Sequence, residues 1–484
     1  MEITMVFPSF DRNEIEENNT VVEELKKRAF DAWMKYEKSR SKDISPQYVE
    51  KVLPSNSLPI SIGQLSLSTY LKKNGIRVKY IHCDYLKYEK QFSEQQLKEY
   101  IVSETISSEY IGIYSMTPTI DYAVDVLRYV KENHPNIITL IGGPHATYMD
   151  KDLIESYPFI DIVARGEGEK ILLSIINSYG QGYKALAQIP GITFRNGLDV
   201  IRNEDQNLLR PDEIPDPDYE LLPNSKKLLC TVMYSRGCPY SCKFCAEGGL
   251  WRHAVRFRNP SKVAQEIYNI YKNRGQIVIH IADSEIDAVP TKFDALLDEI
   301  IKLDIDCKYT VNLRCDAYKR LSDDMIQKMK YAGIFGYLIG VESAYDPMLE
   351  IMNRKSTFDD FLKTIDLLNK NDAGYILPGI MLCFPGETEY SFEYTKNMFL
   401  KLLEEDRVSY FFPKIFVPYP GTDPFSNQEK YNIELTKDWS KYTRYDTKSI
   451  FDSNLISPEF TTAAMIDFYE KIVAILERKI KNDK

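Results

Sequence analysis

Short apolar runs alternate with helical patterns over the first 200 residues of the chain. The runs that predict strands are residues 3–10, 76–81, 110–116, 137–141 and 160–164. Residues 60–74 and 119–133 carry apolar side chains at helical spacing, and a further helix is predicted after Glu169. Strands that alternate with helices predict a parallel sheet covered on both faces, and such sheets bind ligands at the carboxyl ends of their strands.

A charged stretch, residues 11–58, interrupts this alternation directly after the first predicted strand. It contains a predicted helix from about residue 20 to residue 40, and it ends between Pro54 and Pro59. We interpret the stretch as an insertion. Two interpretations remain open, a solvated helical excursion and a flap over a ligand.

A second change of pattern divides the chain into domains. Residues 210–223 contain four prolines and five acidic residues, a composition that resists helix and sheet and predicts a linker. Strands and helices alternate again up to about residue 425, and the remainder is mainly helical, ending in a run over 461–480. The predicted domains are therefore residues 1–205, a linker over 206–229, residues 230–425, and a helical C-terminal cap over 426–484 that is a candidate substrate-binding region.

Composition narrows the functional classes. The 484 residues are 44% hydrophobic and 27% charged, which is ordinary globular usage, and the net charge of −10 argues against nucleic acid and anionic membranes as partners. No apolar stretch approaches a membrane span, and the N-terminus lacks a signal-peptide pattern. The 8 cysteines are too sparse for a disulfide scaffold. We therefore expect a cytoplasmic, reducing location, where clustered cysteines indicate metal or redox chemistry.

Three of the cysteines, Cys238, Cys242 and Cys245, follow a predicted strand with the spacing CxxxCxxC. Structural zinc normally takes four ligands, and an iron–sulfur cube also takes four, usually all cysteine. Three thiolates without a nearby fourth leave one metal position open for a small molecule. The alternative is a zinc site that a distant Cys or His completes.

This segment resembles the radical S-adenosylmethionine (SAM) enzymes. The resemblance implies that the three cysteines hold a 4Fe–4S cluster whose fourth iron chelates SAM. One electron from the cluster then cleaves SAM to a 5′-deoxyadenosyl radical, so the cofactors carry the chemistry and we assign no protein acid or base.

Later segments match the same family in order and spacing. The family uses a partial (β/α)6 barrel, which we expect here over residues 230–425. Loops containing Pro385-Gly386-Glu387-Thr388 and Pro418–Thr422 match two later family loops. The residues that the resemblance assigns to SAM are Phe244, Glu247, Gly248, Asp283, Ser284, Arg314 and Glu342. Phe244 as a core side chain and Arg314 as a surface ion pair are the alternatives left open.

The first domain resembles the Rossmann-like cobalamin-binding domain of one radical SAM subclass. The glycine pair Gly142-Gly143 allows close approach of the backbone to a bulky ligand. No Asp-x-His-x-x-Gly motif is present, so we expect cobalt without a His ligand. The alternative is a Rossmann-like domain that has lost its cofactor. The candidate cobalamin-binding residues are Ser9, Phe10, Ser115, Met116, Thr117, Gly142, Gly143, His145, Glu167 and Gly168.

The resemblance implies a fold of class α/β, with the cobalamin-binding domain, the partial barrel and a helical C-terminal region in that order. It implies radical methylation of an unactivated carbon in a small-molecule or peptide substrate, with an electron donor such as flavodoxin or ferredoxin. The same motifs permit oxidative cyclisation, rearrangement or ring contraction without methyl transfer. A non-catalytic protein that binds cobalamin or SAM is the remaining alternative.

Overall fold

The structure is a computed structural model that describes residues 1–9, 20–39, 58–436, 438–442 and 458–482. These residues form two compact units. Unit 1 contains residues 1–9, 58–228 and 250–252, and unit 2 contains the remaining described residues. Strand β1 (Glu2–Phe7) opens unit 1, and the next described element, helix α1 (Thr20–Ser39), belongs to unit 2.

A seven-stranded sheet forms the centre of unit 1, in the order β2-β1-β3-β4-β5-β6-β7. The first five strands are parallel, and the last two pair antiparallel. All residues of β1 are buried, as expected for a strand covered on both faces. The further strands are β2 (Arg77–His82), β3 (Tyr110–Tyr114), β4 (Ile138–Gly142), β5 (Ile162–Ala164), β6 (Ile192–Asn196) and β7 (Asp199–Arg202).

Helices cover both faces of this sheet and bury an aliphatic core against it. Helix α2 begins where Ser61 accepts a hydrogen bond from the Gln64 amide, and it ends before Gly75, which has a φ of 80°. The helices are α2 (Ile62–Lys73), α3 (Cys83–Tyr88), α4 (Glu94–Thr105), α5 (Ile120–Asn133), α6 (Pro144–Tyr148), α7 (Asp150–Ser156), α8 (Gly168–Asn177) and α9 (Tyr183–Leu186), with a 3-10 turn over Thr117–Thr119.

Two predicted segments of unit 1 differ in detail. Strand β1 ends at Phe7, short of residue 10, because Pro8 has no N–H to continue the ladder. The Pro-rich segment 210–223 groups with unit 1 and contains two 3-10 turns, Pro211–Glu213 and Tyr219–Leu221. Its side chains Ile214, Tyr219 and Leu222 are buried, so this segment is packed along unit 1.

The main sheet of unit 2 has six parallel strands in chain order, β8-β11-β12-β13-β14-β15. This sequential arrangement confirms the predicted partial (β/α)6 barrel. The strands are β8 (Thr231–Val232), β11 (Val278–Ile281), β12 (Lys308–Arg314), β13 (Ile334–Glu342), β14 (Tyr375–Leu382) and β15 (Phe412–Ile415), with a separate antiparallel pair, β9 (Ser235–Arg236) and β10 (Arg256–Phe257).

Capping residues explain where several barrel helices begin. Thr388 and Thr422, the threonines of the two Pro-Gly loops that match the family, cap α16 and α17. The helices are α10 (Glu247–Leu250), α11 (Pro260–Arg274), α12 (Pro290–Ile301), α13 (Asp323–Tyr331), α14 (Asp346–Ile351), α15 (Phe358–Lys370), α16 (Glu389–Glu404), α17 (Asp423–Ser426), α18 (Gln428–Tyr431) and α19 (Pro458–Asn482), with 3-10 turns at Ala317–Lys319 and Trp439–Lys441.

Helix α1, at the position predicted for the insertion, packs along the C-terminal helix α19 within unit 2. The buried indole of Trp33 stacks on Tyr410, with ring centroids 5.1 Å apart. The Tyr36 hydroxyl donates to Asp406 Oδ1 at 2.9 Å. The helix therefore has an apolar face that is packed within the unit, and the rest of the insertion lies outside the described residues. No helix in the described ranges combines the length and the apolar character that crossing a membrane requires.

Candidate functional site

The carboxyl edge of the unit 1 sheet gathers several predicted cobalamin residues. The strand order places β1 between β2 and β3. The chain therefore moves to one side of β1 to form β2, and it then crosses to the other side to form β3. Such a switch point is where open parallel sheets bind ligands. Ser115 and Thr117 follow β3, and Gly142-Gly143 closes β4, so the structure brings these loops to one edge.

Hydrogen bonds tie the β3 loop to the β4 loop. The Ser115 hydroxyl donates to the Gly142 carbonyl at 2.9 Å. His145 Nδ1 lies 3.1 Å from Thr117 Oγ1. Burial lowers the pKa of His145 to about 4, so its imidazole is neutral at pH 7. The edge formed by these two loops is therefore polar and uncharged.

Gly143 is required by the fold itself. Its φ is 103°, and an added Cβ would lie 2.5 Å from the Ser115 carbonyl oxygen. The close backbone approach predicted for this glycine is therefore made to the neighbouring loop. Gly166, in the loop after β5, also has a positive φ of 76°, but an added Cβ there would meet nothing within 4 Å.

The other predicted residues of this edge have varied surroundings. Ser9 is buried and donates to Asp84 Oδ1 at 2.8 Å. Glu167 Oε2 accepts the Leu209 amide at 2.7 Å, which fixes the packed segment described above. Met116 is half-buried, Gly168 begins α8, and Phe10 lies outside the described residues.

The three predicted cluster cysteines lie in one loop of unit 2, after β9. Cys238 and Cys242 are half-buried, Cys245 is exposed, and all three are free thiols. Burial raises the pKa of Cys238, and the negative charges of Glu285, Cys242 and Glu247 raise it further. Within the described ranges, no group of three or more His, Cys, Asp or Glu side chains is arranged to hold a metal ion. That finding concerns a single ion, whereas each thiolate of a cube binds a different iron.

Two arginines link this loop to the barrel strands. The Arg314 guanidinium, at the end of β12, lies 3.9 Å from the ring centroid of Tyr240, inside the cysteine loop. Arg314 also donates to the backbone carbonyl of Arg354. Arg354 is 8% exposed, with Nη1 3.7 Å from Cys242 Sγ and Nη2 donating to the Gly340 carbonyl at 2.5 Å.

Sequence reasoning missed Arg354. It lies 112 residues from Cys242 in sequence, in the turn after α14, and no spacing pattern connects the two. The sequence does place Arg354 shortly after Glu342, which lies at the end of a predicted strand. Loops that follow parallel strands lie at the carboxyl edge of the sheet, so this position could have indicated that Arg354 lies near the site.

The predicted residue Glu342 closes β13 with an unusual backbone. Its φ is 76°, and the pairing of β13 with β14 shifts register between Gly340 and Glu342. Burial raises the pKa of Glu342, while Arg354, Lys414 and Arg314 lower it by attraction. A non-glycine residue in the left-handed region costs ~1–3 kcal/mol, and such residues cluster at functional sites. The backbone therefore aims this carboxylate next to a buried cation.

Asp283, at the end of β11, has an internal role. Its Oδ1 accepts the Tyr234 amide at 2.7 Å, and its Oδ2 accepts the Ser235 hydroxyl at 2.6 Å. Burial raises its pKa to about 6. Asp283 thus positions the backbone that leads into the cysteine loop.

The remaining predicted SAM residues also lie around the cysteine loop. The Ser284 hydroxyl donates to Glu247 Oε1 at 3.2 Å. Gly248 is buried, and an added Cβ would lie 2.3 Å from the Tyr240 carbonyl oxygen. Phe244 packs against the apolar cluster formed around Met348, Phe384 and Phe416, so its ring has a core role there.

The donor sets fit the expected ligands. Three free thiols on one short loop suit iron, which prefers soft thiolate ligands in clusters. A carboxylate and a buried guanidinium side by side suit a zwitterion such as SAM, which carries an amino group and a carboxylate. The uncharged hydroxyl and imidazole groups of Ser115, Thr117 and His145 suit cobalamin, a large ligand with many amide groups.

Comparison with known proteins identifies two domain families in the chain. Residues 232–399 match the radical SAM superfamily, and residues 54–176 match the B12 binding domain. The chain therefore carries a cobalamin-binding domain followed by a radical SAM domain, and the predicted resemblance to cobalamin-binding radical SAM enzymes is confirmed. Together the two domains imply a 4Fe–4S cluster, SAM and cobalamin as cofactors.

Individual relatives cover the chain to different extents. The chain is 29% identical to the anaerobic magnesium-protoporphyrin IX monomethyl ester cyclase of Rubrivivax gelatinosus, over 58% of this chain and 51% of the relative. It is 28% identical to the uncharacterized methyltransferase PH0819 of Pyrococcus horikoshii, over 75% of this chain and 78% of the relative. The chain thus spans about half the length of the cyclase.

A solved structure shares the fold. The radical SAM methyltransferase TsrM from Kitasatospora setae, with cobalamin and a 4Fe–4S cluster bound, superimposes with a TM-score of 0.64 at 16% identity. The match covers 87% of this chain and 73% of that structure.

Proposed function

We propose that this protein is a cobalamin-dependent radical SAM methyltransferase that acts on an unactivated carbon of a small-molecule or peptide substrate. The observation that carries the proposal is the occurrence in one chain of a B12-binding domain and a three-cysteine loop on a radical SAM barrel. The names of the Pyrococcus horikoshii relative and of the Kitasatospora setae structure support methyl transfer.

When bound, the cofactors would supply two groups. One is a radical, which removes a hydrogen atom from the substrate, and the other is a methyl group, which takes the place of that hydrogen. In this proposal, Cys238, Cys242 and Cys245 bind the cluster. Glu342 and Arg354 hold the amino and carboxylate ends of SAM, since they lie side by side next to the cysteine loop.

Other residues keep these groups in place. Arg314 orients the cysteine loop through Tyr240, and Asp283 fixes the backbone that enters it. In unit 1, the loops that contain Ser115, Thr117 and His145 face the cobalamin. An external one-electron donor, such as flavodoxin or ferredoxin, reduces the cluster in the cytoplasm.

The test is anaerobic reconstitution of the full chain with iron, sulfide and cobalamin, followed by incubation with SAM and a reductant. A methyltransferase consumes SAM in two ways, because methyl transfer leaves S-adenosylhomocysteine and radical formation leaves 5′-deoxyadenosine. We expect both products by mass spectrometry, and a product heavier than the substrate by one CH2 once a substrate is supplied. Formation of 5′-deoxyadenosine without S-adenosylhomocysteine, with cobalamin bound, contradicts the proposal.

A second candidate function is radical oxidative cyclisation without methyl transfer. The similarity to the Rubrivivax gelatinosus cyclase favours it. The same assay separates the two candidates, because a cyclase forms 5′-deoxyadenosine and a product that gains no CH2.

A further inference from the structure

Helix α2 of unit 1 contains a buried carboxamide that has no hydrogen-bond partner among the residues that the structure describes. Gln64 is 0% exposed, and among the described residues neither its Nε2 nor its Oε1 has a partner. Ser68, one turn later on the same helix face, is also 0% exposed, and its hydroxyl likewise has no partner in the described part of the chain. Three buried polar atoms on one face of the helix thus have no partner within the described ranges.

The neighbouring polar side chains of α2 are satisfied, so the helix is not poorly packed in general. The Ser66 hydroxyl donates to Glu169 Oε1 at 3.1 Å. The Thr69 hydroxyl donates to the Leu65 carbonyl at 2.8 Å and accepts the Asp218 amide at 2.8 Å. Buried polar side chains are nearly always paired, and an unpaired one in a native structure requires an explanation such as a bound group.

The position of the helix indicates which ligand could form the hydrogen bonds that these atoms do not make with the described residues. Strands β1 and β2 are parallel, so α2, which runs back between them, has its first turn at the carboxyl edge of the sheet. A hydrogen-bonding contact between His82 Nε2 and the Pro59 carbonyl, 2.8 Å apart, fixes the segment that leads into this turn. Gln64 is therefore on the same edge as the loops of Ser115 and Gly143, at the switch point.

We propose that Gln64 and Ser68 bind cobalamin through the primary amide groups on its corrin ring. A carboxamide both donates and accepts, so Gln64 is complementary to another primary amide, and Ser68 adds one hydroxyl. This inference rests on the proposed function, because it takes cobalamin as the ligand of unit 1. It adds two residues to the cobalamin site and gives the buried amide a partner.

The experiment uses the full chain purified without cobalamin. Gln64→Leu and Ser68→Ala are compared with the unmodified chain and with Gln95→Leu, the same change at an exposed glutamine of α4. Cobalamin affinity is measured by absorbance titration with hydroxocobalamin, and the unfolding temperature is measured with and without the ligand. We expect Gln64→Leu to weaken binding at least tenfold, Ser68→Ala to weaken it severalfold, and Gln95→Leu to change nothing.

The ligand-free unfolding temperature distinguishes a binding role from a structural role. Replacing an unpaired buried amide by an apolar group of similar shape is expected to leave the ligand-free protein as stable as before or more stable. A Gln64→Leu protein that binds hydroxocobalamin normally overturns the inference, as does one whose ligand-free unfolding temperature falls, because the amide is then paired internally or by water. If the unmodified chain binds no cobalamin, the proposed function fails as well.

Discussion

The parallel strands of the two main sheets end in chemically different groups. The loops after β3 and β4 present hydroxyls, glycines and an imidazole that burial keeps neutral. The loops after β12 and β13 present the guanidinium of Arg314 and the carboxylate of Glu342, with Arg354 between them and the cysteine loop. The loops after β12 and β13 therefore carry charged side chains, whereas the loops after β3 and β4 present neutral ones.

This difference corresponds to the ligands proposed for each unit. A zwitterion requires a cation and an anion held at fixed positions, and charge-assisted hydrogen bonds are the stronger ones. A large ligand rich in amides requires many neutral donors and acceptors, because an unpaired buried charge is costly. The difference teaches that parallel strands of similar arrangement can end in loops of different electrostatic character.

The largest expected effect is a complete loss of function at the edge of unit 2, with cobalamin binding at the edge of unit 1 unchanged. Cys242→Ala removes one of the three cluster thiolates, so we expect loss of cluster iron and no 5′-deoxyadenosine, while cobalamin remains bound to unit 1. Iron content, nucleoside analysis and cobalamin absorbance measure these outcomes. Cys307→Ala, at a buried cysteine of the same unit outside the loop, is the control. Continued 5′-deoxyadenosine formation by Cys242→Ala would show that the cluster assignment is wrong.

Neutralising the charged edge is expected to have the next largest effect. A hydrogen bond to a charged group contributes ~1.5–3 kcal/mol, so Arg354→Gln should weaken SAM binding by about tenfold to a hundredfold. Arg354→Lys should restore part of the affinity, because it restores the charge without the planar fork. Equilibrium binding of SAM to the reconstituted protein is the measurement. Arg478→Gln, at an exposed ion pair with Glu404, is the control, and equal affinity in all variants contradicts the role of Arg354.

A pH difference provides a third comparison. Burial raises the pKa of Glu387, in the loop after β14, to about 8, whereas the pKa of His145 is lowered to about 4. Between pH 4.5 and 8 the folded Glu387 keeps a proton that the unfolded chain has lost, so this group makes unit 2 less stable as the pH rises. At one pKa unit per 1.36 kcal/mol, the loss by pH 8 is of the order of a few kcal/mol.

Glu387→Gln removes this titration and retains an acceptor for the Cys383 amide. We therefore expect the variant to gain stability relative to the unmodified chain as the pH rises from 6 to about 8, by denaturant unfolding. A stability difference that stays constant with pH contradicts the buried, protonated state of Glu387. Near pH 6 the His145 of unit 1 acts in the opposite sense, because it is neutral in the folded chain while an unfolded histidine, with a pKa of 6.5, still carries a proton, so this group makes unit 1 more stable as the pH rises towards 7.

The smallest predicted effect lies within the neutral edge. Gly143→Ala places a Cβ 2.5 Å from a backbone oxygen at a φ of 103°, and we expect a loss of ~1–3 kcal/mol in unfolding free energy. Gly166→Ala meets no neighbour within 4 Å, so only its φ of 76° opposes the change, at a cost of ~1–2 kcal/mol. Denaturant midpoints of the two variants give the comparison. Equal losses at both positions would show that the contact with Ser115 is not tight.

Much of the local structure could be predicted from the sequence. The alternation of strands and helices predicted the fold class, because it is a short-range pattern. The cysteine spacing by itself left zinc and an iron–sulfur cluster open, and the resemblance to radical SAM enzymes indicated the cluster. The threonines Thr388 and Thr422 of the two Pro-Gly loops could also have been predicted as helix caps. Arg354 and Gln64 could not be found in this way. Arg354 meets Cys242 only when the barrel strands have assembled, and Gln64 appears as one polar residue in an ordinary amphipathic helix.

By itself, the sequence determined the order of the domains, the parallel sheets and the three thiols, since periodicity and spacing act over a few residues. The tertiary structure decided which polar side chains are paired within the described residues and which are buried there without a partner. Asp283 and Glu167 proved to hold backbone amides, whereas Gln64 and Ser68 proved to be buried without partners in the described residues. The physical reason is that burial and hydrogen-bond pairing depend on segments far apart in sequence, which meet only in the folded chain.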